Sequence, residues 1–436
     1  MLHHNRPAQF GGCPPGARLI TFVAMTKVTA WSSRDFRRIW GATTASALGN
    51  EVGELALPVL ALVWLGASAE ELSWVRVATF LPYLALTLWI GVLVDRHPRR
   101  PLLIGAEAVS ACVLLTMAGL ALVGSLTIPM LIAAAAVLGS MAVLHMLADF
   151  SFVPLVVSRE QLADANARIT ATQSAIGIGG SGVGGALVQW LSAPFAVVLN
   201  GIGRFVAVAL ICRVRTPEPT PEPSTDSTVR QASEGLAALA RHRVVRSLAA
   251  EATAWNLGNE VLMLALTVAV VQGHPSGPLA LGVILMAGGI GAFLGASLSA
   301  QLTATFGYGR SLIAAMALGN TAPLLGVLLA SDTSTRSLVV LGVALLASGV
   351  GVGVANSQAV TVRQLTVPEP LRGRVNAAYR MLFWGALAIG ALLAGSLVTT
   401  WSWWPAAIVG ATLMAASTLP VALSPVRGMR DLADPS

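Results

Sequence analysis

The stretch LGNEVGELAL at residues 48–57 returns as LGNEVLMLAL at residues 257–266, with eight of ten positions identical at an offset of 209. A shorter echo lies at an offset of 210, where Ala165-Asn166-Ala167 is followed later by Val375-Asn376-Ala377. Two separate matches at nearly the same offset predict a chain made of two similar halves. Equal spacing in the same chain direction further predicts that the halves run in parallel orientation.

The composition excludes a soluble globular domain. Only 11% of the 436 residues are charged, whereas 55% are hydrophobic; a soluble domain carries about 25% charged residues. The apolar side chains exceed what one buried core absorbs, which indicates that the bilayer is the solvent. The net charge of +7 is not gathered in a soluble basic patch, so we expect no nucleic-acid partner.

Twelve stretches are long and apolar enough to span a bilayer, which takes about 20 residues. We therefore predict an all-α integral membrane protein with twelve transmembrane helices. The predicted spans are 41–65, 74–94, 102–123, 128–149, 169–191, 194–212, 248–271, 278–300, 310–330, 337–358, 376–399 and 404–423.

The basic residues predict the orientation of these spans. With twelve spans, 23 of the 27 Arg and Lys residues fall in the two tails or in the loops on their side, and only Arg336 falls in a loop on the other side. Cytoplasmic loops are enriched in Arg and Lys, so both termini are predicted to be cytoplasmic.

The predicted domain organisation follows from the spans. A partly disordered cytoplasmic tail (1–38) precedes a six-helix bundle (39–212), a cytoplasmic linker (213–247), a second bundle (248–425) and a short tail (426–436). Met25 is a candidate native start. The linker is Pro-rich at 216–227, and residues 230–246 form an amphipathic pattern that fits either a helix on the membrane surface or a solvated spacer.

Several loop and span motifs resemble those of the major facilitator superfamily. The loop Gly91-Val-Leu-Val-Asp95-Arg96-His97-Pro98-Arg99-Arg100 is similar to the superfamily's loop signature between spans two and three. The loops at 154–167 and 363–375 resemble the drug, macrolide and enterobactin exporter branch. In span five, Gly180-Ser181-Gly182-Val183-Gly184-Gly185 resembles the antiporter motif, with Ser181 where the family has proline. The resemblance implies two pseudo-symmetric six-helix bundles, and Gly180, Gly184 and Gly185 as helix-packing residues.

The same resemblance implies a conformational latch on the cytoplasmic side. In the family the arginine after the loop aspartate pairs with an acid at the end of span four. Here that pair is Arg96 and Asp149, with Asp95 beside the next helix N-terminus, where a carboxylate can accept hydrogen bonds. Arg99 and Arg100 can bind carboxylates or lipid phosphates. The alternative is a solvated basic loop with no latch role.

Three glutamates lie inside predicted spans, where a charge costs about 2.5–3.5 kcal/mol on the insertion scale and marks a functional candidate. Glu51 and Glu54 lie in span one, and Glu260 occupies the position of Glu51 in the second half. Burial favours the protonated form of a carboxyl group, so these residues are candidates to carry protons or bind a cation.

The competing interpretation of these glutamates is structural. They can pair with Arg204 or Arg380, or form hydrogen bonds with Asn50, Asn256 or Asn259. We include Asn50, Asn259 and Arg204 among the candidate cavity residues. Arg204 either binds an anionic substrate group or neutralises a glutamate. His145 is either a proton relay or a packing residue, and Glu107 is assigned to the cytoplasmic charge network.

The residues point to a transporter and away from an enzyme. No phosphate-binding loop, paired metal ligands or nucleophile with a positioned base appears, so no cofactor or metal is expected. We predict a monomeric, multi-pass secondary transporter of the cell membrane. It would export a moderately hydrophobic small molecule, such as a drug, macrolide or siderophore, in exchange for protons. An importer or uniporter, and a non-transporting receptor or lipid-handling protein, remain as alternatives.

Overall fold

The computed structural model describes residues 29–158, 160–218, 228–367 and 369–429, and every regular element within them is a helix. The Met25 start, the N-terminal tail to residue 28 and linker residues 219–227 lie outside this part. The α-helices are α1 (Arg34–Val59), α2 (Ala69–Ala85), α3 (Thr87–Arg96), α4 (Arg99–Leu122), α5 (Ile128–Val156), α6 (Leu162–Leu191), α7 (Ala193–Cys212), α8 (Thr228–Arg241), α9 (Arg243–Gly273), α10 (Gly277–Phe306), α11 (Tyr308–Leu329), α12 (Thr335–Thr366), α13 (Glu369–Trp401), α14 (Trp403–Ser417) and α15 (Leu419–Ala422).

Local sequence explains where several helices begin. Ser68 and Glu71 form a reciprocal capping box at the start of α2, which satisfies two backbone N–H groups that lack intrahelical partners. Before α12, the hydroxyls of Ser337 and Ser334 donate hydrogen bonds to Asp332. These bonds stabilise the carboxylate and hold the pKa of Asp332 below its usual range.

The helices account for most of the predicted spans. In the described part of the chain, ten helices are long and apolar enough to cross a membrane. The pair α2 and α3, bent by 55° at their junction, makes an eleventh if it is one span. Helix α6 covers the remaining prediction, 169–191, but is not among these ten. It carries polar residues such as Asn166, Arg168 and Gln173, so the count of twelve stays a prediction.

The internal repeat is visible in the backbone. Ser192 joins α6 to α7 and Ser402 joins α13 to α14, and the two serines are 210 positions apart. Both adopt a positive φ, of 77° and 85° respectively. Positive φ is uncommon outside glycine, so its recurrence at the repeat offset indicates that the two connections have the same local geometry.

Two helix pairs make the most extensive contacts between the described parts of the chain before and after the linker. Helix α6 packs along α10, and α13 packs along α2. A Cβ at Gly185 would lie 3.0 Å from the Cα of Gly282, and one at Gly395 would lie 2.5 Å from the Cβ of Ser73. These two contacts are related by the repeat, since Gly395 follows Gly185 by 210 positions and Gly282 follows Ser73 by 209. Small residues therefore allow both close approaches.

The hydrophobic core is continuous at one end of the bundle and divided at the other. We call the end where Arg34, Arg99 and Arg243 begin their helices the arginine-rich end. At the opposite, arginine-poor end a single cluster draws side chains from both sides of the linker, among them Leu60, Leu72, Leu264 and Leu281. At the arginine-rich end the clusters are separate: one holds Phe36, Leu103 and Phe152, and another holds Val244, Leu312 and Val426.

The amphipathic pattern at 230–246 is divided between two helices. Helix α8 ends at Arg241, and residues from Arg243 onward belong to α9. Leu239 of α8 is buried in a cluster with Val245 and Val375, so this apolar face packs on α9 and α13. Leu236 remains exposed. The position of this segment, on the membrane surface or as a solvated spacer, stays a prediction.

Candidate functional site

A cavity of about 460 Å³ lies between the two sides of the chain, walled by helices that include α1, α2, α7, α9 and α13. This volume is within the range of about 300–1,000 Å³ of small-molecule sites. Five of the six predicted cavity residues line it, namely Asn50, Glu54, Arg204, Asn259 and Glu260, whereas Glu51 does not. Further polar residues of the lining are Arg76, Asn200 and Asn256.

Glu260 forms an ion pair across the interface between the halves. The Arg76 Nε donates to Glu260 Oε1 at 2.7 Å, and a terminal nitrogen of Arg76 donates to Oε2 at 2.8 Å. The Glu260 side chain is only 2% exposed. A bidentate pair of this geometry is among the stronger polar contacts in proteins. The partner of Glu260 is therefore neither Arg204 nor Arg380, the two that the sequence suggested.

Glu51 lies in an environment that differs from that of Glu260. Its carboxylate accepts a hydrogen bond of 3.4 Å from Ser181 Oγ of α6, and no arginine pairs with it among the described residues. The position that corresponds to Arg76 in the second half lies 209 residues later and holds Leu285. Glu260 therefore has an arginine partner from the first half, whereas the second half offers Glu51 no arginine at the corresponding position.

Glu51 and Glu260 each pack against a glycine of the neighbouring helix. A Cβ at Gly180 would lie 2.7 Å from the Cβ of Glu51, and a Cβ at Gly390 would lie 2.9 Å from that of Glu260. The two glycines are 210 positions apart. Gly180 therefore makes room for Glu51, which gives the antiporter-like stretch of α6 a specific contact.

Replacing Gly180 by alanine is expected to displace Glu51. We expect Gly180→Ala to lower the free energy of unfolding by about 1–3 kcal/mol, the usual cost of overpacking, and to reduce transport. The control is Gly179→Ala, because a Cβ at Gly179 would meet nothing within 4 Å. That variant should be neutral or slightly stabilising in a helix. Equal effects of the two variants on thermal unfolding and transport would contradict the assigned contact.

Gly184 and Gly185 serve two different interfaces. A Cβ at Gly184 would lie 3.3 Å from the Cα of Val52 in α1, whereas Gly185 faces α10. One face of α6 thus packs on the first helix, and another packs across the interface between the halves.

Arg204 is neutralised inside the first half. A terminal nitrogen of Arg204 lies 3.1 Å from an oxygen of Glu107, and another donates to the side-chain oxygen of Asn50. Ser46 Oγ also donates to Glu107, at 2.8 Å, and His145 Nδ1 lies 2.9 Å from the same oxygen. Glu107 is 0% exposed. It belongs to this buried cluster rather than to a cytoplasmic charge network, and the ion-pair interpretation of Arg204 describes the observed contact.

Glu54 and Asn259 face the cavity. Glu54 is exposed there, and among the described side chains it has no hydrogen-bond or ion-pair partner. The neighbouring Asn256 donates its amide hydrogen to Ala252 O at 2.7 Å, which ties it to its own helix. Glu54 is therefore the acidic residue of the lining that is available to a ligand.

The structure does not bring together the predicted latch residues. Arg96 is exposed and makes no ion pair with Asp149 or with any other described residue, and Asp95 is likewise exposed and unpaired among them. The start of α4 is capped instead by Glu218, which accepts from the backbone N–H of Arg100 at 2.8 Å and also from that of Arg99. Glu218 thus takes the helix-capping position that Asp95 was expected to fill. Around Gly91, a Cβ would meet nothing within 4 Å.

The guanidinium of Arg100 binds the end of α7. It donates to Ile211 O at 3.2 Å and also to Cys212 O. Arg100 therefore caps carbonyl groups at a helix C-terminus, where positive charge is favourable.

The sequence prediction missed two further features. Arg76 lies at the start of the predicted span 74–94, so its depth was not evident from the sequence, whereas α2 begins at Ala69 and places Arg76 about two turns inside the helix. Glu251 of α9 is buried and accepts a hydrogen bond of 3.1 Å from Asn320 of α11. Its position two turns into a helix that starts earlier than predicted explains why it was overlooked.

Comparisons with known proteins agree with this architecture. Residues 25–436 match the family model described as transmembrane secretion effector. The chain is 25% identical over 221 residues to macrolide efflux protein A of Streptococcus pyogenes, which is 50% of this chain and 54% of that protein. The alignment thus spans about half the length of that relative. An MFS-type transporter of Sinorhizobium fredii is 26% identical over 364 residues, covering 82% of this chain and 87% of the relative.

Solved structures share the fold at low sequence identity. The nucleoside transporter NupG overlaps with a TM-score of 0.69 at 10% identity, covering 89% of this chain and 98% of that one. A bacterial homologue of the iron transporter ferroportin in its inward-facing state gives 0.69 at 17% identity, with coverage of 89% and 98%. The outward-facing state of such a homologue gives 0.59 at 18% identity, with the same coverage.

Proposed function

The chain belongs to the major facilitator superfamily, within its transmembrane secretion effector family, and on that premise we propose that it exports a moderately hydrophobic small molecule in exchange for protons. As a member of this family it is a multi-pass protein of the cell membrane, and we propose that it transports a small molecule. The direction of transport, the substrate and the coupling ion are also parts that we propose.

The observation that carries the proposal is the placement of the cavity between ends that pack differently. The arginine-poor end has one hydrophobic cluster shared by both halves, and the arginine-rich end has separate clusters. A cavity that is shut on one side and reachable from the other is what alternating access requires. The TM-score is higher against the inward-facing ferroportin homologue than against the outward-facing one, which supports an inward-facing conformation of this chain.

The charged residues divide into two roles in this mechanism. The Arg76–Glu260 pair bridges α2 and α9, so we propose that it must separate before the arginine-poor end opens. Glu51 lies between α1 and α6 without a cation partner, which makes it the preferred proton carrier. Protonation would remove a charge whose burial in the bilayer is costly and so favour the return of the empty transporter.

The topology that we propose has twelve spans in two six-helix halves, with both termini in the cytoplasm. In this topology α6 crosses the whole membrane. The arginine-rich end is then cytoplasmic, in accord with the positive-inside rule. In this orientation the observed conformation is open to the cytoplasm.

We propose that Arg96 and Asp149 form a latch beside Asp95, and that they meet only when the cytoplasmic side closes. We also propose that the protein works as a monomer.

The position of α6 can be tested by cysteine labelling. In a variant whose own cysteines are replaced, we expect Glu160→Cys, before α6, to react with an impermeant maleimide only from the cytoplasmic side. A cysteine at Leu191, at the end of α6, should react only from outside, because 30 residues span the hydrocarbon core. Labelling of both positions from one side would show that α6 does not cross the membrane.

The export function is tested with a panel of fluorescent and radiolabelled compounds. Cells that express the protein should accumulate less of at least one hydrophobic compound than cells that express Glu260→Gln, and dissipating the proton gradient should abolish the difference. Higher accumulation in expressing cells would indicate an importer. Saturable binding by the purified protein without movement into proteoliposomes would favour the non-transporting receptor.

A further inference from the structure

The cavity has an aromatic wall made from both halves of the chain. Phe80 and Tyr83 of α2 and Phe383 and Trp384 of α13 all line it. The rings of Tyr83 and Trp384 stack with centroids 4.9 Å apart and planes inclined by 22°, and Phe383 meets Trp384 edge to face at 5.3 Å. Such a wall binds an apolar ligand and, through the negative faces of its rings, also attracts cations.

The wall already holds one cation of the protein itself. The Arg76 Cζ lies 4.8 Å from the centroid of the Phe80 ring. This guanidinium is at the same time bound by both carboxylate oxygens of Glu260. The arrangement shows that positive charge is accommodated beside these rings when a carboxylate is close.

The charges that line the cavity do not cancel. Arg76 is matched by Glu260, and Arg204 is matched by Glu107. Glu54 is exposed in the lining and, within the described part of the chain, forms no hydrogen bond or ion pair. It lies close enough to Arg76 for charge attraction, but that guanidinium is already bound by both oxygens of Glu260. One negative charge is therefore available to a ligand, whereas both arginines of the lining are already engaged.

From this charge balance we infer that the transported molecule is a lipophilic organic cation with a single positive charge, such as a hydrophobic ammonium or phosphonium compound. Its charged centre pairs with Glu54, and its apolar part lies on the wall of Phe80, Tyr83, Phe383 and Trp384. The inference rests on the proposed function and narrows the substrate class. Anionic compounds, including siderophores that carry carboxylates, would meet Glu54 as a like charge and find no free arginine, which is a strong basis for rejection.

Two probes of nearly equal size and shape but opposite charge separate these cases: tetraphenylphosphonium and tetraphenylborate. We expect the purified full-length protein in detergent to bind radiolabelled tetraphenylphosphonium saturably and much more tightly than tetraphenylborate. Glu54→Gln keeps the shape of the side chain and removes the charge. It should weaken tetraphenylphosphonium binding by about tenfold or more, because it removes the counter-charge of a partly desolvated ion pair.

The matched control is Glu70→Gln, the same chemical change at an exposed residue in the first turn of α2, outside the cavity lining. It should bind tetraphenylphosphonium as the wild type does. Trp384→Leu should weaken binding of the cation while leaving the preference over the anion in place, because Glu54 remains. Size-exclusion profiles that match the wild type establish that each variant is folded.

Several outcomes would overturn the inference. They are the absence of tetraphenylphosphonium binding to the wild type, unchanged binding by Glu54→Gln, and equal affinity for the two probes. Transport of an anionic compound from the panel would also refute the cation class while the exporter function stands. Conversely, selective binding of tetraphenylphosphonium without transport of any compound would uphold the charge rule and refute the exporter function.

Discussion

Replacing Glu260 by glutamine is expected to lower the free energy of unfolding by about 2–5 kcal/mol and to abolish transport. The change leaves the Arg76 guanidinium without its bidentate partner, and an unpaired charge in a desolvated site is costly. The Arg76 side chain keeps 20% of its surface exposed, which places the expected effect toward the lower end of this range. Thermal unfolding in detergent measures the change in stability.

A double variant distinguishes the effect of losing the Arg76–Glu260 ion pair from the effect of leaving the Arg76 charge unpaired. Replacing both Arg76 and Glu260 by glutamine removes the unmatched cation, so we expect stability to recover toward that of the wild type. Transport should not recover, because the contact that joins α2 to α9 is still missing. The Glu70→Gln control should change neither property. If Glu260→Gln were as stable as the wild type, the pair would not hold the two halves together in this conformation.

Replacing Glu51 by glutamine is expected to uncouple transport from protons. Glu51 has no cation partner among the described residues, and unlike Glu54 it lies outside the cavity lining, where its side chain contacts Gly180 and Ser181 of α6. Glutamine keeps the size and the hydrogen-bonding capacity of the side chain but cannot release a proton. Export against a gradient should therefore fall to background, whereas exchange of substrate for substrate should continue. Both are measured with radiolabelled substrate in proteoliposomes.

Two results with Glu51→Gln would contradict the proposed role of Glu51 as the proton carrier. Glu51 lies outside the cavity lining, so substrate affinity should change little in Glu51→Gln. A large loss of affinity with normal proton coupling would instead assign Glu51 to substrate binding. Normal driven export would remove it from the coupling mechanism altogether.

The sequence predicted the family and the all-helical membrane fold, since both depend on local signals. Apolar runs and loop motifs mark the helices wherever they occur along the chain, and the family match confirms the resemblance to the major facilitator superfamily. The repeat of LGNEV also singled out Glu51 and Glu260 as equivalent residues. Their glycine contacts, at Gly180 and Gly390, have the same repeat relation.

The partners of the charged residues were not predictable in the same way. Arg76 and Glu260 are 184 positions apart, and the pairing has no counterpart in the repeat because Leu285 replaces the arginine. The same limit applies to Glu218, which caps α4 from beyond α7. A contact between distant segments depends on helix packing, which no local pattern encodes. Repeat symmetry predicted equivalent positions but not equivalent partners.

Proton movement driven by substrate tests the central claim most directly. Inverted membrane vesicles expose the cytoplasmic face, and respiration acidifies their interior, which quenches an entrapped pH-sensitive dye. Adding tetraphenylphosphonium should restore part of the fluorescence in vesicles with the wild-type protein, because each cation that enters the lumen releases protons from it. Vesicles with Glu51→Gln should show no recovery. Substrate uptake by the wild type without any recovery of fluorescence, or full recovery with Glu51→Gln, would contradict proton exchange through Glu51.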